Sequence, residues 1–174
     1  AGAMNVPLSI KLEESNDLLF RLVHGDVKYI MVSRTQLKKV RAIKEQLPLV
    51  KHIIVFDDIE EYEDREISLG KVMALGDEYM NTHTLEEFLA VGKSLQNDDI
   101  ATITYTSGTT ADPKGVVLTH RNYTANVEQA CTLVQIDETW RTLIILPLDH
   151  CFAHVVGFYI MMSKGASVAT TQVG

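Results

Sequence analysis

Along this chain, short apolar runs typical of strands alternate with segments in which apolar residues recur at helical spacing. Two β-rich runs, "VKYIMVS" (27–33) and "HIIVFDD" (52–58), predict buried strands. Between them, Leu37, Val40 and Leu47 recur at helical spacing with charged residues opposite, which predicts an amphipathic helix. The same patterns predict further helices at 13–25, 82–92, 121–134 and 151–165, and further strands at 102–106, 116–119, 141–148 and 166–171. Strands and helices therefore alternate through most of the sequence.

This alternation is typical of an α/β fold. It predicts repeated βαβ units and a mainly parallel sheet with helices on both faces. No short repeat or low-complexity linker interrupts the pattern, so we expect residues 1–174 to form a single α/β subdomain. Thr84 and Glu87 have capping-box spacing, and Gly25 and Gly165 are placed to end helices. Only the acidic stretch 59–75 has no clear period.

Composition narrows the classes of partner. The net charge is −7 and the basic residues are scattered, so no nucleic-acid partner is expected. The chain has 2 cysteines, which favours a reducing compartment over a disulfide framework. No apolar run approaches the ~20 residues that a bilayer span needs. The start of the sequence lacks the features of a signal peptide. We therefore expect a cytoplasmic protein whose membrane contact is at most peripheral.

One connection between two predicted strands concentrates polar chemistry. It carries three hydroxyl side chains, glycines that leave backbone N–H groups accessible, and one lysine: Ser107, Gly108, Thr109, Thr110, Lys114 and Gly115. Hydroxyl, amide and ammonium donors suit anionic phosphate oxygens. A polar surface hairpin is the alternative, because Ser and Thr are common in such turns. A Walker loop is excluded, because Lys114 precedes Gly115 and a strand follows instead of a helix.

The stretch "YTSGTTADPKGVVLTHRN" resembles the phosphate-binding signature of the adenylate-forming superfamily, which includes acyl-CoA synthetases, luciferases and peptide-synthetase adenylation domains. Ala111 stands where glycine is usual. Two other stretches, "LIILPLDHCFAHVVGFYIMMSKGASV" and "GAMNVPLSIKLEESNDLLFRLVHGDVKYIMVS", resemble the long-chain fatty acyl-CoA synthetases. In that branch Glu-Arg often follows the phenylalanine, whereas this chain has Ala153 and His154. The resemblance covers most of the chain.

The resemblance implies an enzyme that activates a carboxylate with ATP and Mg²⁺ and then transfers the acyl group to CoA. It implies that the ATP phosphates are bound by Thr106, Ser107, Gly108, Thr109, Thr110, Lys114 and Gly115. Lys114 would neutralise the departing pyrophosphate, and Thr109 or Thr110 would supply a hydroxyl ligand to Mg²⁺. His150 would lie near the carboxylate of a fatty acid or other acid substrate. Lys114 and His150 are therefore the implied catalytic residues.

Three sets of residues have alternative interpretations. His150 is either this substrate-facing residue or a strand-end histidine that binds neighbouring backbone. His150, His154 and Cys151 are close in sequence, but they lack the spacing of a known zinc motif. Four residues could line an acyl channel or belong to the core: Tyr105, Val155, Phe158 and Tyr159.

The 174 residues lack several elements that the resemblance implies: a Tyr-Gly-x-Thr-Glu motif, an aspartate for the ribose, a hinge arginine and a lysine in a C-terminal domain. We therefore expect a truncated piece of an N-terminal domain that is inactive alone, with the remainder of that domain and the C-terminal domain as its missing partners. The alternatives are an aryl-CoA ligase, an amino-acid-activating adenylation domain, or a non-catalytic nucleotide-binding α/β module.

Overall fold

The computed structural model describes residues 2–106, 113–146 and 153–171. The chain forms two compact units. The first contains Ala1–Gly2 and Ile10–Leu95, and the second contains Ala3–Ser9 and Gln96–Gly174. The expectation that residues 1–174 constitute a single subdomain stays a prediction.

The first unit contains a three-stranded parallel sheet in the order β1-β2-β3. The strands are β1 (Tyr29–Val32), β2 (His52–Val55) and β3 (Glu66–Ser68). The helices are α1 (Ser15–His24), α2 (Arg34–Arg41), α3 (Leu69–Met80) and α4 (Leu85–Lys93), with a 3₁₀ turn at Lys44–Gln46. The α2 crossover joins two parallel strands, as the sequence pattern predicts.

The core of this unit combines the predicted apolar face of α2 with the inward positions of the sheet. Leu37 and Val40 are buried in α2, and Ile43 and Leu47 are buried around the 3₁₀ turn. On β2, Ile53 and Val55 are both 0% exposed, whereas Ile54 between them is only partly buried. β2 therefore buries one face more completely than the other, because successive strand side chains point to opposite faces.

Helix α1 buries an arginine and leaves one of its apolar side chains exposed. Val23 is 50% exposed, whereas Arg21 is buried. The Arg21 guanidinium donates to the Asp17 carbonyl at 3.1 Å and lies 3.3 Å from the Asp17 carboxylate, so its charge is paired within the helix. Gly25 ends the helix as predicted, but its φ is −86° and Asp26 takes the positive φ of 48°. Aspartate tolerates that conformation better than most residues.

Strand β3 lies inside the stretch that had no clear sequence period. Its first residue, Glu66, has a side chain that is 0% exposed. Arg41 on α2 donates through Nε to Oε1 at 2.8 Å and through Nη2 to Oε2 at 2.7 Å, and the Glu63 backbone N–H donates to Oε2 at 2.9 Å. Hydrogen bonding by Arg41 lowers the pKa of Glu66 and outweighs the opposing effect of burial. The charge pair thus joins α2 to β3.

We expect Glu66→Gln to lower the free energy of unfolding by about 1–2 kcal/mol at neutral pH, because the partly exposed Arg41 guanidinium loses its charged acceptor and the amide keeps only part of the hydrogen bonding at this buried position. A carboxyl with a lowered folded pKa stabilises above its unfolded pKa and loses this contribution as pH falls through the folded value. The difference between wild type and variant in urea denaturation should therefore shrink below about pH 4. Glu60→Gln, at an exposed position, is the control. A difference that stays constant down to pH 2 would contradict this role.

The described residues of the second unit include two short sheets. β4 (Ile100–Tyr105) and β5 (Gly115–Thr119) form an antiparallel pair, and β6 (Arg141–Ile144) and β7 (Ser167–Thr170) form a parallel pair. Asn5 adds a parallel bridge to Thr102 on β4. Helix α5 (His120–Leu133) follows β5, and a π-helix (Ala153–Tyr159) continues into α6 (Ile160–Lys164). This arrangement confirms the mixed α/β fold with parallel strands.

Exposed apolar side chains remain on the first unit. The described residues of α3 and α4 include none that is buried, and Met73, Leu85 and Phe88 are among the exposed ones. None of the helices described here is long and apolar enough to cross a membrane.

Candidate functional site

The predicted phosphate loop is the connection of an antiparallel hairpin. At its base, the Thr106 backbone N–H donates to the Lys114 carbonyl at 3.0 Å, and the Thr106 hydroxyl lies 3.5 Å from the same oxygen. The next pair along the strands is Tyr105 opposite Gly115. The hairpin therefore fixes both ends of the loop, so a ligand held there would meet a backbone that is already constrained at its base.

Gly115 makes close packing at this base possible. A Cβ atom at this position would lie 3.0 Å from Ile103 Cγ2 and 3.4 Å from Tyr105 Cε1. The ring of Tyr105 thus occupies space beside the cross-strand glycine, an arrangement that stabilises glycine in a sheet. Sequence reasoning assigned Gly115 to phosphate binding and missed this packing role.

We expect Gly115→Ala to destabilise the β4–β5 hairpin by about 1 kcal/mol, because the added methyl group displaces Ile103 and the Tyr105 ring. Hydrogen exchange of the β4 and β5 amides should accelerate accordingly. Gly76→Ala is the matched control: the position is inside α3 and no atom lies within 4 Å of the added Cβ, so exchange in α3 should slow. Unchanged exchange in β4 and β5 of the Gly115 variant would contradict the packing argument.

The structure locates three of the predicted site residues. Thr106 and Lys114 are exposed at the base of the loop, and Gly115 is half-buried. The backbone of Thr106 and that of Lys114 are thus brought together, the Thr106 hydroxyl points toward the Lys114 carbonyl, and the Lys114 ammonium group belongs to an exposed residue. Five residues lie outside the described residues: Ser107, Gly108, Thr109, Thr110 and His150. Their implied roles, including that of Thr109 and Thr110 as Mg²⁺ ligands, stay predictions.

Helix α5 begins directly after the hairpin and is tied to the turn that precedes β4. Thr119 and Asn122 form a capping box. The Arg121 backbone N–H donates to the Asn97 carbonyl at 2.7 Å, and the Arg121 guanidinium lies 2.8 Å from Asp98 Oδ1. Hydrogen bonding by Arg121 lowers the pKa of Asp98. Both side chains are exposed, so this ion pair orients the helix more than it stabilises the fold.

The described chain resumes at Ala153 with the π-helix. Gly157 packs against β6, because a Cβ there would lie 3.2 Å from Ile144 Cγ1. Ala153 and Ile160 are buried in the same segment. The sequence predicted one α-helix over 151–165. The described part is helical and ends at Gly165, which has a positive φ of 68°, but its first seven residues have π geometry.

An aromatic cluster joins the π-helix to α5. The Tyr159 ring meets the Tyr123 ring edge to face, with centroids 5.2 Å apart, and the His154 ring lies 6.0 Å from Tyr159. Burial, with a smaller contribution from Tyr123, raises the pKa of Tyr159. The Tyr123 hydroxyl is buried without a hydrogen-bond partner among the described residues. The described contacts between these three side chains are therefore contacts between their rings.

An open cavity of about 1000 Å³ lies beside the cluster. Its lining includes Thr102, Tyr123, Val127, Cys131, Tyr159 and Met162. Among the four residues considered for an acyl channel, Tyr159 contributes to this lining. Within the described ranges, no group of three His, Cys, Asp or Glu side chains is placed to hold a metal ion.

Comparison with known proteins identifies the family. The family described as AMP-binding enzyme matches residues 1–173. The chain belongs to this AMP-binding family. A long-chain-fatty-acid–CoA ligase ACSBG2 of Xenopus laevis is 28% identical over 159 residues, which is 82% of this chain and 20% of that protein. Long-chain-fatty-acid–CoA ligase 1 of Saccharomyces cerevisiae is 33% identical over 156 residues, which is 78% of this chain and 22% of that protein.

Solved structures of two CoA ligases share the fold. An anthranilate CoA ligase, AuaEII, in complex with anthranoyl-AMP matches with a TM-score of 0.75 and 20% identity, over 99% of this chain and 31% of that one. A putative long-chain-fatty-acid CoA ligase from Rhodopseudomonas palustris CGA009 matches with a TM-score of 0.72 and 15% identity, over 99% of this chain and 39% of that one. These likenesses confirm the predicted α/β fold. The chain spans about a fifth of the length of the curated relatives reported above.

Proposed function

We propose that the natural protein containing residues 1–174 is an ATP-dependent acid–thiol ligase that activates a long-chain fatty acid and transfers it to CoA. The observation that carries this proposal is the hairpin base, where Thr106 and Lys114 hold the two ends of the Ser-, Thr- and Gly-rich loop. The described relatives that are named as fatty-acid ligases support the choice of acid.

The reaction is proposed in two steps. A carboxylate oxygen of the acid attacks the α-phosphorus of ATP, the bond to the β-phosphate bridging oxygen breaks, and pyrophosphate leaves. The CoA sulfur then attacks the acyl carbon, and AMP leaves with the carboxylate oxygen. Negative charge grows on the departing pyrophosphate, so catalysis depends on positioned donors and cations.

The chain's own residues would serve the first step. Lys114 would place its ammonium group against the departing oxygens, and the Thr106 hydroxyl would donate to a phosphate. The loop hydroxyls of Ser107, Thr109 and Thr110 would complete the donor set, and Thr109 or Thr110 would contribute to holding Mg²⁺, which would offset phosphate charge. His150 would lie beside the carboxylate. The isolated 174 residues would not turn over substrate.

The test is ATP–pyrophosphate exchange by the whole natural protein with long-chain fatty, aryl and amino acids in separate reactions. We expect exchange that depends on a long-chain fatty acid. Exchange with aryl or amino acids alone would overturn the fatty-acid assignment and retain adenylation. Absence of exchange with every acid, in a folded protein that binds ATP, would indicate a non-catalytic nucleotide-binding module.

A further inference from the structure

The outer face of the β1–β3 sheet leaves large apolar side chains in solvent. On β1, Ile30 and Val32 are buried, whereas Tyr29 and Met31, which point to the other face, are 54% and 56% exposed. Phe56, directly after β2, is 51% exposed, and its backbone N–H donates to the Val32 carbonyl at 3.0 Å. Tyr29, Met31 and Phe56 therefore form an exposed apolar strip that follows β1 to its end, called the β1 strip below.

The rest of the outer face is better covered. Strand pairing places Met31 opposite Ile54 on β2 and Ile54 opposite Ile67 on β3, so one apolar row crosses the sheet. Ile54 and Ile67 are half-buried, whereas Met31 is the exposed end of the row. The Tyr29 ring stacks on the His52 ring, with centroids 6.3 Å apart, yet Tyr29 stays more than half exposed. The exposed apolar surface of this face is thus concentrated on β1, at one edge of the sheet.

Parallel strands seldom leave an apolar face in water. Connections between parallel strands cross over the sheet and place helices on its faces, so parallel sheets occur almost only with both faces covered. Contiguous exposed apolar side chains mark surfaces that bind another element or molecule. Helix α2 already covers the inner face through Leu37 and Val40. The parallel pairing of β1 with β2 therefore favours a second helix as the partner of the outer face.

The length of the relatives indicates where such a helix comes from. This chain covers only 20% and 22% of the two curated relatives compared above, so most of a protein of that length lies outside residues 1–174. We propose that the β1 strip binds an amphipathic α-helix from that remaining part of the same natural polypeptide. This inference concerns an interaction surface and does not depend on the proposed function.

Charges at the ends of the strands give the helix a direction. Asp58 is exposed at the carboxyl end of β2, two positions after Phe56, and a negative charge there favours the positive end of a helix dipole. Lys28 and Lys51 are exposed directly before β1 and β2 and favour the negative end. The helix should therefore begin near Phe56 and end near Tyr29, antiparallel to β1, as crossover helices do.

The experiment introduces the photo-crosslinking residue p-benzoyl-phenylalanine in place of Tyr29 or Phe56 in the whole natural protein, and mass spectrometry identifies the linked peptides. We expect both positions to link to one segment of the same polypeptide outside residues 1–174, at residues three or four apart. Phe56 lies four positions after His52, the register partner of Tyr29. Four strand positions span about 13 Å, so links from position 56 should precede those from position 29 by about nine helical residues.

A matched control and a measurement on the unmodified protein accompany the cross-linking. The same residue in place of Glu60, which is exposed outside the strands, should not link to that segment. Hydrogen peroxide should oxidise native Met31 at least about tenfold more slowly in the folded whole protein than in urea, because the helix must first move away. This protection should not change with protein concentration or with added ATP and fatty acid.

Several results would overturn the inference. Unprotected Met31 would show that the strip is open to water. Protection that disappears on dilution would assign the strip to a second copy of the protein, and protection that requires ATP or fatty acid would assign it to a ligand. Links within residues 1–174, links to another protein, or links in the reverse order would also contradict it. If the cross-linker variants do not fold, the oxidation of Met31 decides. The proposed function is judged separately, by pyrophosphate exchange.

Discussion

Lys114→Met is expected to lower acid-dependent pyrophosphate exchange by about 10²–10³-fold in the whole natural protein. The substitution keeps most of the side-chain length and removes the charge that we place against the departing pyrophosphate. Removing one preorganised electrostatic donor from a transition-state site costs this much in well-studied enzymes. The described hydrogen bonds of Lys114 at the hairpin base use its backbone carbonyl, and its side chain is exposed, so the hairpin should persist.

Two further variants make this result specific. Lys114→Arg retains a positive charge and should recover part of the exchange, although the planar guanidinium presents its donors differently. Lys51→Met removes an exposed lysine from the first unit and should leave exchange unchanged. Exchange by Lys114→Met within twofold of wild type would show that Lys114 does not stabilise charge in the reaction.

Ile53→Ala is expected to destabilise the first unit by about 2–5 kcal/mol. Ile53 lies on the central strand of the three-stranded sheet and is 0% exposed. Its truncation removes buried apolar surface and leaves a cavity that the close-packed neighbours fill incompletely. Its backbone N–H donates to the Arg65 carbonyl at 2.8 Å, so the same strand also carries the pairing with β3.

The measurement for Ile53 is hydrogen exchange of the β1–β3 amides. The single tryptophan, Trp140, belongs to the second unit and its fluorescence does not report on this sheet. Each 1.4 kcal/mol of lost stability should accelerate exchange from the opened state about tenfold. Ile54→Ala deletes the same atoms from the opposite, partly exposed face of β2 and should have a clearly smaller effect. Equal effects of the two substitutions would contradict the assignment of the core face.

The parts of the fold that the sequence predicts well are those set by local patterns. The buried side of α2 follows the spacing of Leu37 and Val40. The capping box of α4 is present as predicted: the Thr84 N–H donates to the Glu87 carboxylate at 2.7 Å, and the Glu87 N–H donates to the Thr84 hydroxyl at 3.2 Å. These features depend on residues three or four positions apart, so the sequence alone is enough to predict them.

Other features depend on partners that are distant in sequence. The sequence pattern did not predict β3, because Glu66 is a charged residue. The burial of Glu66 depends on Arg41, which is 25 positions away. The π geometry of Ala153–Tyr159 has no compositional signature of its own. It accompanies the close approach of Gly157 to a different strand. Such features become visible only once the chain is folded.

The candidate site also combines features that local sequence predicts with features that depend on distant residues. The order of residues in the phosphate loop carried the family assignment, which the match over residues 1–173 confirms. The packing of Tyr105 against Gly115 follows from the strand register, and the Tyr123–Tyr159 contact joins residues from two helices. The local sequence around Tyr123 and Tyr159 does not predict that these two rings are in contact.

The most direct measurement follows the carboxylate oxygens through the proposed reaction. The whole natural protein would be given a long-chain fatty acid labelled with ¹⁸O in its carboxylate, together with ATP, Mg²⁺ and CoA, and the products analysed by mass spectrometry. Attack of the carboxylate on the α-phosphorus predicts AMP that carries one ¹⁸O atom and unlabelled pyrophosphate. Formation of ADP, or of AMP without label, would contradict adenylation of the acid.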